Sequence, residues 1–465
     1  MTQRPKRSSR GQRLLQRLTE LESRDTTYID CDNTTDGPWP IVMRKAKGLR
    51  VGDADGKTYL DMTACFGVLA LGHRHTSATT ALRKQASRLI HGMGDVHPSE
   101  TKIELLKNLA TVLPWASSRC VLGLSGADAI EACLKSAMLA TGRHRFVAFS
   151  GSYHGLSFGA LRLTERRDFH DGFAPWSRHD VAFMPFPLVH DPKQVSGAPL
   201  TAAELQDEDR GEGEVAPADV VLAKLASALA ARDVAAVVFE PVQGRGGERV
   251  LPAGFLNEIQ SLCASHGTLL IADEIYTGFG RTGRYFACEH HGVVPDLMAL
   301  GKALGGGLPL SACTGGASVM DHWPRSQGEA RHTQTFLGHP LACALGTATL
   351  NALARQLPQS LETLPILDRM FQDFLARERR AKRPAHLTFE LRGLAWMRGL
   401  WFYRAPAGWA VTMSRRLLTQ GFITLPSGPT GRVLSWTPPL TITPKETERF
   451  LRAVSKTLDD LQASP

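Results

Sequence analysis

The chain has 465 residues, 43% hydrophobic and 21% charged, enough to bury a large core. Its net charge of +9 is concentrated: residues 1–19 hold Arg4, Lys6, Arg7, Arg10, Arg13 and Arg17 and no acid, so the remainder is nearly balanced and no nucleic-acid partner is expected. No run of about 18 apolar residues argues for a membrane span, no apolar signal core follows the basic start, and eight scattered cysteines fit reduced thiols in a cytoplasmic setting.

Residues 1–25 read as a basic, flexible, solvated tail. In the N-terminal segment 26–75, Gly and Asp turn signals around short apolar residues predict a hairpin over 51–61. From 76 to 340, short apolar runs alternate with helical patterns. Strands are expected at 146–149, 181–184, 235–239, 268–272 and 296–300, with helices over 127–141 and 253–265. This alternation predicts an α/β fold whose mostly parallel sheet is covered by helices on both faces. Residues 187–218 interrupt it with Pro, Gly and seven acids from Asp191 to Glu214, and read as an exposed insertion. Residues 341–465 predict a smaller α+β domain: helices over 341–357 and 363–380, strands within 389–402 and at 433–436, and a final helix over 444–461.

The chemistry lies where these elements meet. Ser125-Gly126-Ala127 leads into a helix whose apolar positions Ile130, Leu134 and Met138 recur every four residues. Free N–H groups at a helix start favour an anion such as phosphate, although a simple cap uses the same residues. At 237–244 an apolar strand runs into Glu240 and Gln243, and at 269–274 the arrangement repeats with Asp273 and Glu274. Ligand sites in open α/β sheets gather at such strand ends. A carboxylate there is costly to bury without a cationic partner, and a protonated ring nitrogen would serve; a turn cap is the plainer alternative. At 296–309 a further apolar strand ends in Gly301-Lys302 and a glycine-rich turn. A lysine in such a pocket can form a Schiff base with a carbonyl, whereas an ion-paired lysine is the ordinary case. Two motifs are set aside. Gly278-Phe279-Gly280-Arg281-Thr282-Gly283 matches a dinucleotide-binding pattern, but five residues separate it from Ala272 and no long helix follows. Cys288-Glu289-His290-His291 has no second ligand cluster, so no metal is expected.

Five ordered motifs, SGADAIEACLKSA (125–137), EPVQGRGG (240–247), ADEIYTGFGRTG (272–283), GKALGGGLP (301–309) and TFLGHPLACA (335–344), resemble the class III aminotransferases, of the fold-type I group of pyridoxal-phosphate enzymes. The resemblance spans roughly residues 40–460. It implies a large cofactor-binding domain, a smaller domain joined by the N-terminal segment, and pyridoxal 5'-phosphate as cofactor. Lys302 matches the lysine that forms the Schiff base and shuttles the proton. Asp273 matches the aspartate that keeps the pyridine nitrogen protonated, making the ring an electron sink. Gly126 and Ala127, after Ser125, match the phosphate cradle. Tyr153, beside His154, matches the aromatic stacked on one ring face, and Ile275 the residue on the other. Glu240 and Gln243 are counted with the cofactor site, as is Tyr276. Tyr276 stands where the family often has a glutamine that bonds the cofactor's phenolic oxygen, and tyrosine retains a donor. Thr335 matches a threonine that reaches the phosphate of a neighbouring subunit, implying a homodimer with shared sites.

Two departures bear on the substrate. Many family members carry an arginine for a substrate carboxylate at the positions of Leu156 and Ser435, and neither leucine nor serine makes a bidentate pair. Glu240 is then left to Arg392 or Arg432, or to an amine or hydroxyl of the substrate. The expected activity is transfer of an amino group from an amine or amino acid to a keto acid or aldehyde, with a primary amine or unusual amino acid as donor. Racemases, epimerases and decarboxylases share the fold and the early steps, and stand as the alternative. A non-catalytic protein that binds partners through its tail or insertion stands behind them.

Overall fold

The computed structural model describes residues 8–24, 26–27, 40–173, 180–187, 190–199 and 214–463. Arg4, Lys6 and Arg7 of the basic start lie outside them. Where composition suggests an unstructured tail, Arg10–Leu21 is a helix, α1. Ser9 and Gln12 form a capping box at its start. Asp55 then fastens it, accepting from Ser9 Oγ at 2.7 Å and from the Gly11 N–H at 2.9 Å.

Asp55 sits in the turn of the expected hairpin. Strands β1 (Met43–Lys47), β2 (Arg50–Asp53) and β3 (Thr58–Asp61) form an antiparallel ribbon. The main sheet contains β4 (Ser118–Gly123), β5 (Arg145–Phe149), β6 (Val181–Met184), β7 (Val234–Phe239), β8 (Leu269–Asp273), β9 (Leu297–Leu300) and β10 (Ser311–Gly316). Their order is β4-β10-β9-β8-β7-β5-β6, and only β10 runs antiparallel to its neighbours.

Strands buried on both faces need apolar residues at every position, and β7 shows how they divide. Val237 and Phe239 pack with helices α3 (Ala218–Leu229) and α4 (Phe255–His266) through Val221, Leu225, Leu256 and Ile259. Ala236 and Val238 pack on the opposite face against Ile130, Cys133 and Leu134 of helix α2 (Gly126–Thr141). The doubly covered sheet matches the expectation. So do the strands read from apolar runs, to within one residue at either end. Strands β4 and β10 were not among those expected.

The C-terminal part departs from its reading in its first helix. Instead of two helices there is one, α5 (Pro340–Arg380), of 41 residues with Pro358 and Pro365 inside it. An interior proline costs a helix about 3 kcal/mol. Here a long buried face, with Leu353, Leu357, Leu367, Phe371 and Phe374, offsets that cost. The second sheet combines β11 (Glu390–Leu394), β12 (Met397–Trp401), β13 (Leu425–Ser427) and β14 (Val433–Trp436) in the order β11-β12-β14-β13, and α6 (Pro444–Ala463) closes the chain.

The insertion also differs from an exposed loop where it is described. Phe186–Pro187 pairs with Val215–Ala216. Val195 is buried with Trp401, Tyr403 and Val433, and its carbonyl accepts from Arg379 Nε at 2.7 Å. Residues 200–213, with most of its acids, lie outside the described set.

Candidate active site

The carboxyl ends of β7 and β8, the residues after β9 and the start of α2 open on one cavity of about 490 Å³. Ser125, Gly126, Ala127, Tyr153, His154, Glu240, Asp273, Ile275, Tyr276 and Lys302 all line it. Two expected residues do not. Gln243 is buried behind the wall, with its Nε2 donating to the Ser150 carbonyl at 2.8 Å. Thr335 is exposed, in a separate cleft with Met93, Asp95 and Val96.

Lys302 follows β9 at φ +41, a left-handed backbone that is uncommon outside glycine. Such strain persists where the surrounding structure enforces it, and it clusters at functional sites. Its Nζ lies 4.3 Å from the Tyr276 ring centroid. Burial lowers its pKa, against the pull of the Asp273 and Glu240 charges. A lysine so placed is closer to a free amine than a surface lysine is.

Asp273 ends β8. Its Oδ2 lies 2.7 Å from His154 Nδ1, and its Oδ1 accepts from the Ile275 N–H at 3.0 Å. Burial presses His154 toward neutrality. The hydrogen bond to Asp273 and that residue's charge outweigh burial and raise its pKa. The carboxylate is thereby supported from behind by a cation-prone ring.

Glu240 is met by peptide donors: Tyr153 N–H bonds Oε1 at 2.8 Å and Gly244 N–H bonds Oε2 at 3.1 Å. Burial still lifts its pKa to about 7. The expectation that an arginine or a substrate group must satisfy Glu240 gives way to these two backbone bonds.

Tyr276 also differs from its expected role. Thr437 Oγ1 donates to the Thr63 carbonyl at 3.0 Å, so in the 3.0 Å contact between the two hydroxyls Tyr276 must be the donor. Its single proton is spent there. What Tyr276 offers the cavity is its ring, seated where a Cβ on Gly67 or Gly244 would collide with it.

At the phosphate end, Ser125 Oγ is occupied by Asp128 N–H. The N–H groups of Gly126 and Ala127 belong to the first turn, which has no intrahelical acceptor. A Cβ on Gly126 would fall 2.9 Å from Ile275 Cδ1, so a larger residue there would displace the Ile275 side chain. A helix start, a desolvated lysine and a strand-end carboxylate therefore suit a phosphorylated aldehyde with a basic ring nitrogen.

The remaining wall holds residues to which the sequence reading assigned no role: Phe66, Arg245 and Glu248, beside Leu156 and Ser435. Arg245 and Glu248 stand in and just after the EPVQGRGG motif, and two charges beside a strand-end site were the available signal. Ser435 Oγ donates to Glu248 Oε1 at 2.5 Å. Burial lifts Glu248 to about 8. Phe66 closes a turn in which Ala64, Cys65 and Phe66 are all left-handed, at φ 46, 50 and 61. Buried Asp61 braces that turn, accepting from Thr63 and Cys65 N–H groups and lying 3.0 Å from His73 Nε2. With Cys65 these make the one His/Cys/acid group of metal-like spacing among the described residues, and its hydrogen bonds already account for it.

Sequence and fold comparisons decide the family. The family model for Aminotransferase class-III matches residues 32–458. The chain belongs to the class-III aminotransferases. It is a pyridoxal-phosphate-dependent aminotransferase of fold-type I. The acetylornithine aminotransferase of Methanosarcina mazei is 35% identical over 341 residues, 72% of this chain and 75% of that protein. The 2-aminoadipate transaminase of Pseudomonas putida is 32% identical over 430 residues, 91% of this chain and 96% of that protein. The putrescine aminotransferase of Pectobacterium atrosepticum is 32% identical over 444 residues, 93% and 85% of the two. A solved ornithine aminotransferase from Toxoplasma gondii superimposes with a TM-score of 0.78 at 26% identity, covering 97% of this enzyme and 96% of that chain. These relatives are named for different donors, so membership gives the reaction and leaves the donor to the cavity. No helix among the described residues is long and apolar enough to cross a membrane.

Proposed function

We propose that this aminotransferase works through Lys302 and Asp273, with pyridoxal 5'-phosphate held by the Gly126–Ala127 helix start, between Tyr153 and Ile275. The observation that carries the reading is the desolvated Lys302 in the same cavity as the braced Asp273. When bound, the cofactor supplies an aldehyde for amine exchange and a ring that accepts electron density from the substrate carbon. Asp273 holds a proton on the ring nitrogen, and His154 keeps its carboxylate oriented. Lys302, as a free amine, takes the proton from the substrate carbon and returns it to the adjoining position. Tyr276 places its ring beside Lys302 Nζ and leaves its hydroxyl to Thr437.

The working unit in this reading is a homodimer. Leu89, Ile90, Met93, Val96 and Phe336 are large apolar side chains exposed around the cleft that holds Thr335, and such a patch suits burial against a second copy. Thr335 would then serve the partner's phosphate. All seven described cysteines are free, which fits a cytoplasmic enzyme. Purified enzyme should show visible absorption from the bound cofactor, and Lys302→Ala should abolish it. An unchanged spectrum refutes the assignment of Lys302. Amines added singly should bleach the band and yield a ketone or aldehyde. Proton exchange at the substrate carbon without such a product would instead indicate racemisation.

A further inference from the structure

Arg245 follows Gly244, just beyond β7, and lines the Lys302 cavity. Its guanidinium carbon lies 5.2 Å from the Tyr153 ring centroid and 5.9 Å from that of Phe169. Ring faces steady a guanidinium without accepting its five N–H bonds. Its Nε is buried without a hydrogen-bond partner. Neither carboxyl group of this wall is hydrogen-bonded to Arg245: Glu240 accepts from two peptide N–H groups, and Glu248 accepts from Ser435 on Oε1, leaving Oε2 without a partner and the Arg245 charge to act on it only at longer range. Burial lifts them to about 7 and about 8, so neither opposes Arg245 with a full charge at neutral pH. Phe66, Leu156, Leu425 and Pro426 make the rest of this side apolar. A guanidinium that lines the cavity, paired with no carboxylate among the described residues and set beside apolar walls, is built to meet an anion that enters the cavity.

We propose that Arg245 binds the substrate carboxylate, so that the enzyme takes carboxylate-bearing amines and oxo acids despite Leu156 and Ser435. Of the two donor classes the sequence leaves open, a primary amine or an unusual amino acid, this favours the second. The proposal rests on the aminotransferase reading for the reaction it serves, but its subsite is testable apart from turnover.

The test compares wild-type holoenzyme with Arg245→Gln and Arg245→Lys, using 4-aminobutyrate against butylamine as donors and pyruvate against propanal as acceptors. The preference for the carboxylate-bearing member, as a ratio of kcat/KM values, should fall on the order of 100-fold in Arg245→Gln. Arg245→Lys should recover part of it, since lysine keeps the charge and loses the fork. Calorimetric titration with butyrate, which has no amine to react, should show the same loss of affinity. An unchanged preference, or equal losses for both members of each pair, overturns the proposal. So does a weakened cofactor affinity with the preference intact, which would assign Arg245 to the phosphate. Butyrate binding that depends on Arg245 in a protein that turns over no donor would support the subsite and sink the proposed reaction. Turnover without discrimination would do the reverse.

Discussion

Replacing Asp273 by asparagine removes one charge and almost no volume. In the wild type one oxygen lies 2.7 Å from His154 Nδ1 and the other accepts from the Ile275 N–H at 3.0 Å. An asparagine has one acceptor oxygen, so its NH2 must face either the imidazole or the peptide N–H. Breaking a buried charge pair costs about 3–5 kcal/mol, and the lower figure alone is a factor of roughly 150 in an equilibrium or a rate. Single-turnover bleaching of the bound cofactor under saturating donor should therefore slow by at least about 100-fold. The imidazole gives an independent readout. Without the carboxylate, burial acts on His154 against the Glu240 charge only, and its pKa should fall from its raised value. Nitrogen-15 NMR would follow the ring. A raised histidine pKa stabilises the fold fully below the unfolded value and loses that contribution as pH rises through the folded one. The gap in thermal midpoint between wild type and Asp273→Asn should therefore narrow as pH rises above 6.5. A variant within fivefold of the wild-type rate, with the His154 pKa as high as in the wild type, would refute the reasoning.

Glu248→Gln should change the pH dependence of stability. Its carboxyl is raised from 4.5 to about 8 in the fold, so wild type loses stability relative to the variant as pH climbs through that window. Thermal midpoints measured at several pH values would check this, and a constant difference would contradict it. Asp55→Ala should release α1, since that carboxylate holds Ser9 and Gly11. Trypsin should then cut faster at Arg13 and Arg17 with little change in the midpoint of the whole chain. Equal cleavage rates in both proteins would show that Asp55 does not hold the helix.

What could be read in advance follows from how each element is stabilised. Strands β7 and β8 are continuous apolar runs because both their faces are covered, and such runs stand out in a sequence. The sequences of β4 and β10, SRCVLG and SACTGG, carry Ser, Thr, Cys and Gly, and they become strands by pairing with each other and with β9. Local pattern holds no trace of that. Helix α1 did leave a sign, Ser9 three residues before Gln12, which the charge of the tail obscured. Pro358 divided α5 on paper because a proline is local and the buried face beneath it is not. That Lys302 and Asp273 line one cavity was legible, because a charged residue ending an apolar strand is conspicuous. Arg245 and Glu248 were not, because their meaning depends on which wall of the cavity they line.

The turn behind Phe66 sets a rule for redesigning the donor pocket. Phe66 is 53% exposed at the cavity, an inviting position to vary. Yet it is the last of three successive residues in the left-handed region, where each non-glycine residue costs about 1–2 kcal/mol. Valine, isoleucine or threonine at residue 66 would add β-branching to that backbone, whereas asparagine or glycine would relax it. A library at this position should therefore yield folded variants in proportion to their tolerance of positive φ, and pocket shape would be selected only among those that remain.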